Sequence, residues 1–86
     1  MSDIKLIFLE PKNRFRPAIL GLVWKTVNHP AICYSVDLVI KALMKHDNIN
    51  NEDAHEWFVY NIESLQNCQG GPMFVYESDH YLDSLQ

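Results

Sequence analysis

Asn50 to Tyr76 reads NNEDAHEWFVYNIESLQNCQGGPMFVY, and the fold turns on it: a helix, a glycine-rich turn and a short strand in succession. Asn50 can accept from the free backbone N–H groups of a first turn, and Glu52 and Asp53 fall where the helix dipole favours negative charge. The helix therefore starts near Asn51. At about 100° per residue, Ala54, Trp57, Phe58, Asn61 and Leu65 fall within about 80° of one another and form the expected core face, with Ile62 at its margin. Glu52, Glu56 and Glu63 gather on the opposite side, and this helical stretch contains no Lys or Arg to pair with them. Glu52 and Glu56, one turn apart, repel by about a few tenths of a kcal/mol, which the apolar face outweighs.

Asn61 stands in the middle of that face. An unpartnered amide there costs about 1–3 kcal/mol, so it should have partners. The nearest ones in sequence are the backbone groups of Gln69-Gly70-Gly71-Pro72, which must turn back past the helix end for Met73 to Tyr76 to join a sheet. Asn61 is expected to pin that turn or, alternatively, to face a ligand.

Trp57-Phe58-x-Tyr60-Asn61, followed by Gly70-Gly71-Pro72-Met73-Phe74-Val75, resembles a family of small uncharacterised proteins encoded by tailed bacteriophages. Their pattern joins an aromatic-x-aromatic-Asn helix end to a Gly-x-Pro-x-Phe strand. The similarity runs upstream through Tyr34, the helix beginning at Ser35, and Met44, covering roughly residues 18 to 76. Ser64 and Cys68 stand where that family tends to have small or glycine residues. The resemblance implies a phage origin and an α+β fold, and it implies no activity.

The 86 residues form one domain, of a size that buries somewhat over half of its extended-chain surface and has room for one core. With 48% hydrophobic and 21% charged residues, the composition is that of a globular chain rather than a disordered one. No apolar run approaches the roughly 20 residues needed to span a bilayer, and MSDIKLIFLEPKN lacks a basic n-region and a cleavage site. A soluble, unexported protein without membrane contact is expected. Cys33 and Cys68 do not make a disulfide framework; Cys33, in an apolar run, reads as a buried thiol and Cys68, in a loop, as an exposed one.

A net charge of -4 conceals a division. Residues 1 to 45 hold all seven Lys and Arg against Asp3, Glu10 and Asp37, a net of +4, whereas residues 46 to 86 hold eight carboxylates and no Lys or Arg. Such asymmetry bears on partners more than on fold.

In chain order, Ile4 to Leu9 is a short apolar run whose flanks favour a strand. Lys12 to Arg16, KNRFR, reads as a basic loop with Phe15 tucked inward. Its three cations are too few to drive nucleic-acid binding, so direct contact with nucleic acid is not expected. Ala18 to Val27 and Ala31 to Tyr34 read as a hairpin turning at Asn28-His29-Pro30, with a bulge or close backbone approach at Gly21 and Trp24 in the core. Ser35 can cap a helix with Val36, Val39, Ile40 and Leu43 inward and Lys41 and Lys45 outward; Asn48 can stop it in the left-handed conformation. The two helices should then form an αα-hairpin on one face of a small antiparallel sheet of three to four strands, an α+β domain. Met73 to Tyr76 supplies its last strand, and Asp79 to Leu85 reads as a short helix or an acidic tail.

Chemical motifs are sparse. His29, His46, His55 and His80 share no metal-ligand spacing with one another or with a Cys, and Gly70-Gly71 follows a helix rather than the strand that a phosphate loop needs. No metal and no cofactor is expected, and catalysis is not favoured. Two functions remain. The first is an accessory protein in the cytoplasm of an infected bacterial host, binding and modulating or inhibiting a host or phage protein, a defence protein being one such target. It would present Glu52, Glu56, Glu63, Asp79 and Asp83 to a basic surface. The alternative is a small enzyme or nucleotide-binding accessory with a site at Tyr60, Asn61, Gly70, Gly71 and Tyr76.

Overall fold

The computed structural model describes residues 5–77. Within them the chain runs as α1 (Lys12–Phe15), a 3-10 turn (Arg16–Ala18), β1 (Ile19–Thr26), β2 (His29–Ser35), α2 (Val36–Asp47), α3 (Asn51–Asn61), a second 3-10 turn (Glu63–Asn67) and β3 (Met73–Val75). The architecture is α+β, with a three-stranded sheet and an αα-hairpin packed on it.

The hairpin forms, but its turn lies earlier than the expected Asn28-His29-Pro30, since His29 and Pro30 pair with Thr26 and Trp24 as part of β2. β1 pairs antiparallel with β2 through a two-residue connection, Val27 and Asn28, and the Thr26 hydroxyl shares a hydrogen bond with His29 Nδ1. The register slips between Ile19 and Gly21, where Gly21 has φ +156°, a bulge that relies on the missing Cβ. Trp24, in contrast to its expected place in the core, is 63% exposed. The cause is coverage: α2 packs on β2 and on the Arg16–Ala18 turn, so Leu20, Leu22 and Trp24 of the outer strand remain in solvent.

β3 joins β2 in parallel, Cys33 opposite Met73, Tyr34 opposite Phe74 and Ser35 opposite Val75, so the sheet is mixed, ordered β1-β2-β3, rather than antiparallel throughout. A parallel neighbour needs a crossover connection, and α2 with α3 supplies it. Residues 5–9 form no strand. Two isolated hydrogen bonds hold this extended arm: Ile7 N donates to the Gly70 carbonyl at 2.8 Å and Leu9 N to the Tyr34 hydroxyl at 3.0 Å. The arm adds no ladder to either free edge of the sheet, β1 or β3, yet Leu9 is buried.

Both long helices start on the residues the sequence offered, and α2 also stops there, whereas α3 ends at Asn61, short of Leu65, the last residue of its expected apolar face. Ser35 Oγ accepts from Leu38 N at 3.2 Å to cap α2, and Asn50 Oδ1 accepts from Asp53 N at 2.8 Å to cap α3. Asn48, at φ 53°, ends α2 in the left-handed conformation. Ser35 is fully buried and also donates to Glu77 Oε1, which ties the end of β3 to the start of α2.

The core lies between the sheet and the helix pair. Ile32 and Tyr34 of β2, Val36, Val39, Ile40 and Leu43 of α2, and Ala54, Phe58 and Ile62 meet there, joined by Leu9, Phe15 and Ala18. Phe74 of β3 packs edge-on to Phe58, centroids 5.0 Å apart, and leans on Tyr34 at 6.1 Å; such pairs add about 0.5–1.5 kcal/mol to the area they bury.

Candidate functional site

α3 has more than one apolar face. Ala54 and Phe58 are buried, but Trp57 is 50% exposed, Tyr60 79%, and Val59 is exposed as well. The expected core face thus loses Trp57, Asn61 and part of Leu65. The helix ends at Asn61, so Leu65 lies in the 3-10 turn and no longer follows the helical wheel. The buried stripe is therefore centred on Phe58, between Ala54 and Ile62, which turns Trp57 and Asn61 toward solvent.

On the outer side of α3, Glu52 and Glu56 are exposed, and on an ideal wheel they lie between Val59 and Tyr60. Neither makes an ion pair with Lys41 or Lys45 among the described residues; the ion pair found there joins Arg14 of α1 to Asp47 of α2 at 3.4 Å. Glu63 is partly buried and accepts from the Tyr76 hydroxyl at 3.2 Å. Asp79 and Asp83 lie outside the described residues. The acidic residues thus separate into two open carboxylates on α3, each with apolar neighbours, and one carboxylate held at the end of the sheet.

Asn61 does not pin the glycine turn. It is exposed, and its amide Nδ2 donates to the Trp57 carbonyl one turn back at 3.1 Å. The turn holds itself instead. Gly70 has φ +78°, Gly71 N donates to the Cys68 carbonyl at 2.9 Å, and the Gly70 carbonyl receives Ile7 N. A Cβ on Gly71 would stand 1.9 Å from the Leu65 carbonyl oxygen, so glycine is required there by the backbone of the preceding 3-10 turn. Both glycines therefore have a structural reason.

Of the five residues Tyr60, Asn61, Gly70, Gly71 and Tyr76, Asn61 lines a groove of about 730 Å³ between the 5–9 arm and the helices. Its walls are mainly apolar, with Phe8, Leu43, Trp57 and Ile62 among them, and its polar groups include Glu10, the Arg14–Asp47 pair and Asn61. The other four residues lie off this groove.

The described residues hold no cluster of three or more His, Cys, Asp or Glu able to take a metal, and no helix long and apolar enough to cross a membrane. Cys33 is buried and Cys68 exposed, both as free thiols. Burial, with a smaller push from the Glu77 carboxylate, raises the Cys33 pKa above its ordinary value and so disfavours the reactive thiolate.

The chain matches no family model, no curated protein and no solved structure.

Proposed function

We propose that this protein works by binding another protein, with the outer side of α3 as the docking surface and a basic face on the partner as its complement. One observation carries the reading: α3 exposes Tyr60 beside the carboxylates Glu52 and Glu56, which make no ion pair among the described residues, with the half-exposed Trp57 on the flank of the same helix. Aromatic side chains in solvent supply the anchors that dominate binding energy at interfaces, and like-signed charge around them steers an oppositely charged partner into register. The resemblance of the Trp57 to Val75 stretch to small tailed-phage proteins supports a phage accessory role. On that reading the partner is a host or phage protein, met in the cytoplasm of the infected bacterium and modulated or inhibited by the contact.

The test is affinity capture from host lysate, run side by side with the wild-type protein, Tyr60→Ala and the double variant E52Q/E56Q, and eluted in steps of salt. A partner retained by the wild type and lost with Tyr60→Ala supports the docking surface. With E52Q/E56Q that partner should leave at lower salt. A partner that all three baits retain equally removes α3 from the interface.

A second reading, a small enzyme or nucleotide-binding accessory, draws support from the groove at Asn61, where Trp57 offers a ring face and Arg14 a cation. Thermal shifts against a nucleotide panel test it, and a stabilisation abolished by Trp57→Ala is the result it requires.

A further inference from the structure

A separate cavity of about 520 Å³, sharing only Phe8 with the Asn61 groove, is lined by Phe8, Lys12, Arg16, Ile19 and Tyr34. Its size falls within the range of small-molecule sites, about 300–1,000 Å³. Lys12 and Arg16 are four residues apart, one helical turn, and both are exposed. Lys12 Nζ stands 5.0 Å over the Phe8 ring, and neither cation has a carboxylate within ion-pair distance among the described residues. Two positive charges therefore border an apolar cavity without a direct ion pair among the described residues, the Glu10 carboxylate being near enough to act on Tyr34 but bonded to neither cation. Tyr34, by contrast, is 1% exposed. Its hydroxyl oxygen accepts from Leu9 N, and no acceptor among the described residues takes its proton. A buried donor without an acceptor is uncommon in a folded protein.

We infer that this cavity binds a small organic monocarboxylate, its head group between Lys12 and Arg16 with the Tyr34 hydroxyl donating to it, and its apolar body against Phe8 and Ile19. Each part of the ligand answers a part of the site. A planar carboxylate matches the donor fork of Arg16, and hydrogen bonds from cations to carboxylates are stronger than neutral ones. The apolar walls call for a hydrocarbon body. A single negative charge suits a cavity this apolar better than a doubly charged head, because desolvation grows steeply with charge. Burial and the nearby Glu10 charge hold the Tyr34 phenol above its ordinary pKa, so at neutral pH it keeps its proton and remains a donor. This site is independent of the protein-docking surface on α3.

The test is a two-dimensional amide NMR titration of the whole protein with 1-naphthoate, and in parallel with its neutral counterpart 1-naphthamide. The Leu9 amide, bonded to the Tyr34 hydroxyl, and the Arg16 amide are the reporters. Saturable naphthoate shifts at both, with naphthamide at least tenfold weaker, are expected. Lys12→Gln and Arg16→Gln, at exposed positions, should each weaken naphthoate severalfold while leaving the unfolding midpoint in place. Tyr34→Phe should weaken it further. Equal affinity for the amide, unchanged affinity in both charge variants, shifts centred on Trp57 and Asn61, or no shift at millimolar naphthoate would each overturn the assignment.

Discussion

α2 and α3 are neighbouring helices of nearly equal length that use their apolar residues in opposite ways. α2 directs Val36, Val39, Ile40 and Leu43 into the core and leaves Lys41 and Lys45 outside. α3 buries Ala54 and Phe58 and shows solvent Trp57, Val59 and Tyr60 alongside Glu52 and Glu56. A helix whose only task is to cover a sheet follows the pattern of α2, with its bulk turned inward. The excess of aromatic surface on α3 contributes little to folding and is where an interaction surface is to be sought.

The largest effect should come from removing the inward bulk of α3. Phe58→Ala is expected to destabilise by about 3–5 kcal/mol, most of the margin of a domain this small, whereas Tyr60→Ala should stay within about 0.5 kcal/mol. Denaturant unfolding of the two variants measures the contrast directly. Similar losses would show that the outer aromatics belong to the core after all. Next comes Gly71→Ala, which forces the 3-10 turn after α3 to shift and should cost about 1–3 kcal/mol. The same unfolding curves report it, and a neutral result would mean the turn has another accommodating conformation.

A smaller contrast separates the helix starts. Ser35→Ala removes both the α2 cap and the bond to Glu77, and Asn50→Ala removes a cap alone. Each should lose about 1 kcal/mol, Ser35→Ala the more, and amide exchange in the first turn of each helix shows whether the loss is local. The smallest change is expected from E52Q/E56Q. Relief of the repulsion one turn apart should stabilise by about a few tenths of a kcal/mol, an effect that shrinks in high salt and is read from unfolding midpoints at two ionic strengths.

The elements set by local chemistry were legible in the sequence. Ser35 and Asn50 cap, Asn48 stops α2, Gly21 bulges and Phe15 turns inward, because each outcome depends on a few adjacent residues. Features set by distant partners were not. Leu6 to Leu9 is as apolar as a strand, but its backbone is taken up by single bonds to the Gly70 carbonyl and the Tyr34 hydroxyl, partners far along the chain, rather than by a ladder on a free sheet edge. Trp24 and Trp57 carry core-like side chains at positions that the other described residues cover only in part. The wheel of α3 failed at Leu65 because a 3-10 turn interrupts its period. Of the acidic positions, Glu52 and Glu56 lie together in the open while Glu63 is engaged by Tyr76. The cavity beside Phe8 had one sequence trace, the four-residue spacing of Lys12 and Arg16; its floor, Tyr34, comes from another part of the chain.

The parallel pairing of β3 also imposes an order in time. Cys33 and Met73 are neighbours in the sheet but forty residues apart along the chain, so the closure entropy of that loop must be met before their pairing can stabilise anything. During synthesis the hairpin and α2 can form from local contacts as they leave the ribosome. The β3-facing edge of β2 at Cys33, Tyr34 and Ser35 stays bare until residue 75 has emerged. As long as β2 has emerged and β3 has not, the nascent chain holds that edge open, and this is the interval in which a chaperone, or a second nascent copy, would find a strand to pair with.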